Sequence, residues 1–251
     1  MRSYPHKPKE ELLAESLKNS REDYESGRSK TDQAEAKRSA IFFKRQGDTA
    51  TDVAALEYAF GADWTEVRRW LDSSSAAAQK AVEFGLELDP ILYMTYLALA
   101  ILCSNDVLLD DLKARQRSEF TDSTVKADEV FYLAAEAMRD IAAARPEDAL
   151  NAVQAGLSRL DTDGPNSGTK LANKAILLLE EAIAQKDQRK LAAAVSARIE
   201  KDKTSFSRPA ARNFPGGLLD VVGLGLLKLA ADRGMRTATD SVYLPTGLLE
   251  N

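Results

Sequence analysis

The sequence is short of the residues on which most enzyme chemistry rests. It holds one histidine and one cysteine in 251 residues. With His6 as the only imidazole, catalytic pairs that use histidine as a base are excluded, as are most familiar zinc sites. Carboxylate-bridged di-iron bundles fall on the same ground, since they need a Glu-x-x-His on each of two helices. Cys103 stands alone in "ILYMTYLALAILC", so neither a disulfide framework nor a cysteine zinc site can form within one chain, which suits a reducing compartment. Long apolar runs are missing too. The longest, Ile91 to Cys103, is too short to span a bilayer, and the opening "MRSYPHKPKEELLAESLKNS" has no apolar stretch of the length a secretory signal requires. Cytoplasmic residence without a membrane partner is therefore expected. Nor is there an excess of basic charge: 34 Lys and Arg stand against 39 Asp and Glu. That balance argues against a nucleic-acid partner and for a basic protein partner.

What is abundant is alanine, leucine, glutamate, lysine and arginine, without alternating β-branched runs, and this predicts an all-α chain. A polar leader and helix is expected over residues 1–30, with His6 in a frayed Pro-rich stretch, and a single all-helical domain over 31–251. One helix is expected from Lys9 to Ser26 and a second from Thr31 to Arg45, stopped at Gly47. Asp48 then caps the next, which Gly61 closes, and Asp63 with Glu66 three residues later has capping-box spacing for a helix from Trp64 to Leu88. Pro90 disfavours helix at Asp89 and marks a boundary.

From Asp89 onward the chain has a rhythm. Three stretches read as helix, tight polar connector, helix, the connectors being "SND", "RPED" and "KDQ". Placing Ile141 on Ile183 also brings Val153 onto Val195 and Leu157 onto Ile199, a spacing of 42 residues. A helical hairpin cannot bury its apolar face alone, so these should stack as antiparallel hairpins in a single bundle or short solenoid. Near the end, "FPGGLLDVVGLGLLKLAADRGM" is apolar in nearly every direction around a helix. Leu218 to Ala231 is accordingly expected to be a buried central helix, with Gly223 and Gly225 marking a close helix–helix approach and Gly234 a left-handed cap. The closing "DSVYLPTGLLEN" is too apolar for a free tail; Tyr243, Leu244 and Leu248 should fill grooves between helices, held by an extended segment at Pro245.

Candidate chemistry is sparse. Asp106, Asp110 and Asp111 resemble the acidic clusters that hold magnesium and a diphosphate in some helical enzymes, but no second acidic motif accompanies them. "DTDGPNSG", Asp161 to Gly168, starts like an EF-hand loop, yet Ala172 falls where the twelfth-position glutamate belongs, so a turn is expected. No cofactor is expected. Trp64, Trp70, Tyr93, Tyr96 and Tyr132 are candidate interface anchors or core residues. The polar connector Arg117 to Val130, between two apolar helices, is a place for contacts.

The apolar helix preceded by proline and small residues, the "ADRGM" exit and the closing Asp240, Tyr243, Leu244 and Pro245 together resemble the immunity protein 49 family of bacterial polymorphic toxin systems, chiefly over Gly216 to Leu249 and the preceding hairpins. The resemblance implies a cytoplasmic protein that is not an enzyme and that neutralises a cognate toxin by binding it. It transfers no contact residues. Our own expectation for a surface facing a basic toxin is the carboxylates Asp106, Asp110, Asp111, Glu119 and Asp122, which crowd one hairpin end and its loop. Rival readings are a helical-repeat scaffold that binds a peptide or protein and a magnesium-dependent helical enzyme.

Overall fold

Helices begin where short polar side chains meet free backbone N–H groups. In the computed structural model, which describes residues 1–28, 36–121, 128–162, 168–239 and 241–249, there are ten α-helices and no strand among the described residues. They are α1 (Glu10–Arg28), α2 (Ala36–Phe60), α3 (Trp64–Glu83), α4 (Pro90–Leu102), α5 (Asp106–Ala114), α6 (Glu129–Ala142), α7 (Pro146–Thr162), α8 (Gly168–Gln185), α9 (Gln188–Phe206) and α10 (Val221–Asp232). Asp63 caps α3, accepting from the Glu66 N–H at 2.9 Å. Asp89 caps α4 through the N–H groups of Ile91 and Leu92, with Pro90 in the first turn, where its missing donor costs nothing. Asp187 and Asp220 do the same for α9 and α10.

Two expected boundaries move. α2 runs straight through Gly47 and Asp48, with Asp48 paired to Lys44 at 2.6 Å on its surface. Gly47 serves packing instead: the Ser74 hydroxyl donates to its carbonyl at 2.9 Å, and a Cβ there would lie 3.4 Å from the Ser74 carbonyl oxygen, so α3 crosses α2 closely at that point. α3 stops at Glu83 rather than Leu88, because Gly85 takes a left-handed φ of 81° and turns the chain. Residues 29–35, where α2 was expected to start, lie outside the described residues, as do 163–167 of the Asp161–Gly168 loop.

The three connectors predicted as repeats share one geometry. Ser104, Ala144 and Lys186 each adopt a positive φ of 52°, 56° and 53°. In each case the next N–H reaches back five residues, Asn105 to Ala100, Arg145 to Asp140 and Asp187 to Ala182, as in a Schellman cap. These closures stand 40 and then 42 residues apart, so the 42-residue spacing of the second and third units does not extend back to the first. α6 packs on α7, α7 on α8 and α8 on α9, while α10 packs chiefly on α4.

α10 is the buried helix expected, though it starts at Val221. Leu218 and Leu219 lie just before it, directly after a short 3-10 turn at Pro215–Gly217, and both are buried. A Cβ on Gly225 would fall 2.6 Å from that of Ala98, so α10 and α4 meet nearly backbone to backbone. The tail closes the other side. Tyr243, Leu244, Leu248 and Leu249 are buried, the Tyr243 carbonyl accepts from the Asp220 N–H at 3.0 Å, and Arg68 donates to the Leu248 carbonyl at 2.6 Å. The segment after Pro245 is a 3-10 turn, Thr246–Leu248, rather than extended chain.

The N-terminal stretch expected to fray is docked. His6 is 3% exposed, its Nδ1 lies 2.8 Å from the Tyr243 hydroxyl, and the two rings stack at 5.8 Å. Tyr4 donates to the Leu218 carbonyl at 2.9 Å, and the Arg2 N–H to that of Ala59 at 2.6 Å. A histidine among prolines gives no local sign of such partners, since Tyr243 lies at the far end of the chain.

Candidate functional site

α5 carries three of the five predicted carboxylates, Asp106, Asp110 and Asp111, and a fourth, Glu119, lies in the short turn after it. Its cap is Asn105, which accepts from Leu108 N–H at 3.2 Å and donates to the Ser75 hydroxyl at 3.1 Å, so the α4–α5 tip is fastened to α3. Asp106 therefore occupies the first helical position, exposed and favourably placed against the positive end of the helix dipole. Val107 beside it is 64% exposed. Leu108 and Leu112 turn inward, and the Leu112 carbonyl accepts from the buried Tyr93 hydroxyl at 2.7 Å.

The other carboxylates are engaged within the chain. Asp110 pairs with Lys113 at 2.7 Å and Asp111 with Arg115 at 3.1 Å. Glu119 accepts from the Gln116 N–H at 2.6 Å and closes a capping box on a short turn. Asp122 lies outside the described residues. Beyond α5 the pairing continues: Arg117 bonds Glu129 and Glu136, and Arg139, which donates to the Arg115 carbonyl, shares the buried Asp140 with Arg145. The hairpin end is thus a nearly balanced ionic network in which, of the described predicted carboxylates, Asp106 and Glu119 form no ion pair with a described residue, and Glu119 is held by the Gln116 N–H instead.

Of the aromatic candidates, Trp70, Tyr93, Tyr96 and Tyr132 belong to the core and Trp64 is 37% exposed. Arg68 and Trp64 line an open groove of about 770 Å³ with Asp72, Ala76 and Gly247 of the tail. Among the described residues no three His, Cys, Asp or Glu side chains come together as a metal ion would need, and no helix is long and apolar enough to cross a membrane.

A second polar constellation had no counterpart in the expectations. Arg198 of α9 grips Asp220, the cap of α10, in a bidentate pair at 2.6 and 2.8 Å. Asp202, one turn along α9, is 1% exposed and takes Lys201 at 2.9 Å, and Glu180 of α8 is fully buried nearby. Burial pushes Asp220 upward, but the adjoining guanidinium and its hydrogen bonds prevail and hold it at about 2. Burial, joined by the charge of Asp220, raises Asp202 to about 6. Burial also raises Glu180 well above the carboxylate range, with Arg198 offsetting part of that. Arg198, Asp202 and Asp220 line a cavity of about 240 Å³ under Tyr243 and Phe206. Both Asp220 oxygens are committed to Arg198, so we read this cluster as the clamp that fixes α10 on α9. Its partners lie 22 residues apart, which helical spacing cannot reveal.

Residues 46–248 match the model of the family described as Immunity protein 49, and the chain belongs to that family. No curated protein and no solved structure matches it.

Proposed function

We propose that this member of the immunity protein 49 family neutralises a cognate toxin by binding it in the cytoplasm, with no catalysis of its own. The supporting observation is the family match, which runs from the middle of α2 to the tail and so takes in the stacked hairpins, the buried α10 and its clamp. A body fixed by such contacts changes shape little on binding, and affinity then comes from a few anchors within a patch of roughly 800 Å² per partner. The exposed α5 tip with Asp106 and Val107 is one place for such anchors, open to a basic toxin surface.

The test is co-expression. A toxin domain encoded beside this chain's gene should kill cells alone and spare them when the chain is supplied. Toxicity that persists at full expression of the folded chain would sink the reading.

A further inference from the structure

Around the loop between α9 and α10 the charge pattern is the reverse of that on α5. Phe214 is 59% exposed, the most exposed aromatic residue among those described. One edge of its ring lies against Gly216, where a Cβ would come within 2.8 Å of Cε1, while most of the side chain stays open to solvent. The loop that carries it is pinned by successive turns, Ala211 N–H to Arg208 and Phe214 N–H to Ala211, and by the Lys9 N–H, which donates to Asn213 at 2.8 Å. That last bond sets the docked N-terminal stretch beside the loop. Lys7 and Lys9 of that stretch and Arg208 and Arg212 of the loop are thereby brought to the same part of the surface as Phe214.

None of these four cations forms an ion pair with a described residue, in contrast to Lys113, Arg115 and Arg117 at the α5 end. Arg212 donates weakly to the Ser207 carbonyl at 3.4 Å, and its Nε is buried without a partner. Glu10 and Glu11 stand close by in sequence, in the first turn of α1, where the helix dipole favours them. In a chain of net charge −5, four cations without an ion pair to a described residue on the same part of the surface as an exposed aromatic ring are a local inversion.

Resting on the immunity reading above, we infer that this lobe is an interaction surface for an acidic face of the toxin domain, with Phe214 as the desolvated anchor and Lys7, Lys9, Arg208 and Arg212 as the surrounding charge. Aromatic and arginine side chains dominate binding energetics, and unpaired rim charges act on association rate and its salt dependence. No catalytic step is involved. The partner's complementary feature is a cluster of carboxylates around an apolar pocket that admits one ring.

The experiment titrates the intact chain against the inactivated toxin domain whose lethality it suppresses, at about 0.05 M and about 0.5 M NaCl, where screening differs several-fold in range. The variants are Lys7→Glu/Lys9→Glu/Arg208→Glu, Phe214→Ser and Asp106→Lys, each with a thermal melt to show that it folds. The expected result is at least about tenfold weaker binding at low salt for the triple variant, a gap that shrinks at high salt, and salt-independent weakening for Phe214→Ser. If wild type binds and both lobe variants bind as tightly, this surface is wrong while the immunity reading stands. Should Asp106→Lys alone weaken binding, the α5 tip is the interface instead. Absence of wild-type binding altogether overturns the immunity reading and this one with it.

Discussion

α10 is held in two contrasting ways along its short length. At its middle, Gly225 lets the backbone of α4 approach through Ala98, a contact with no ionisable group in it. At its start, Asp220 is held by Arg198 inside a cluster that also buries Asp202 and Glu180. The first contact is sensitive to volume and indifferent to pH. The second is sensitive to charge, because a buried carboxylate or guanidinium without its partner must bear its full desolvation cost. Substitutions can separate the two, and their expected effects fall in a definite order.

The largest is Leu226→Asp, which places a charge where exposure is 0% and should abolish soluble expression; a stable, cooperatively melting variant would show that α10 is not the core. Next, Asp220→Asn keeps a cap but leaves Arg198 buried and unpaired. It should cost about 3–5 kcal/mol in denaturant unfolding, and Arg198→Met on that background should recover part of the loss. Gly225→Ala tests the apolar contact alone and should cost about 1–3 kcal/mol, equally at pH 5 and pH 8, since no titrating group is involved.

The fourth prediction turns on sign. Glu180 has a folded pKa raised above its unfolded value, so the folded state holds a proton that the unfolded state releases. Its stability contribution is present below the ordinary glutamate pKa and declines as pH rises. Glu180→Gln should therefore melt near wild type at about pH 4 and above it by pH 8, the difference widening with pH. A gap that narrows with rising pH would mean that Glu180 is ionised and paired. Smallest are the hairpin tips: Ser104→Gly, Ala144→Gly and Lys186→Gly should each stabilise by up to about 1 kcal/mol, because left-handed backbone penalises any Cβ.

The same contrast separates what could be read in the sequence from what could not. α10 was legible because a helix apolar on every side has nowhere to go but inside, and Gly225 marks the close approach of α4, whereas Gly223 faces the Asp220 side chain and Leu244 of the tail rather than another helix. The hairpins were legible because the connectors punctuate them, even though the left-handed residues there are Ser, Ala and Lys rather than glycine. The tail was legible from its leucines. Gly47 misled, since a glycine that ends a helix and one that admits a neighbouring helix look alike until the neighbour is known. His6 and Arg198 were opaque for a related reason: each is explained by a partner far along the chain, Tyr243 and Asp220, and local spacing carries no record of such pairs. On the surface, the sequence displayed the carboxylates of α5 but not the Lys113 and Arg115 pairs that engage two of them. Nor could it show that Lys9 and Arg208, distant in the chain, flank one loop.

The central functional claim is neutralisation by stoichiometric binding. It is tested most directly by titrating the purified chain into a fixed amount of active toxin domain and measuring residual toxin activity. Residual activity should fall linearly and reach zero at a fixed molar equivalence. Complete inactivation by a small fraction of an equivalent would show that the chain acts catalytically, and would contradict the claim.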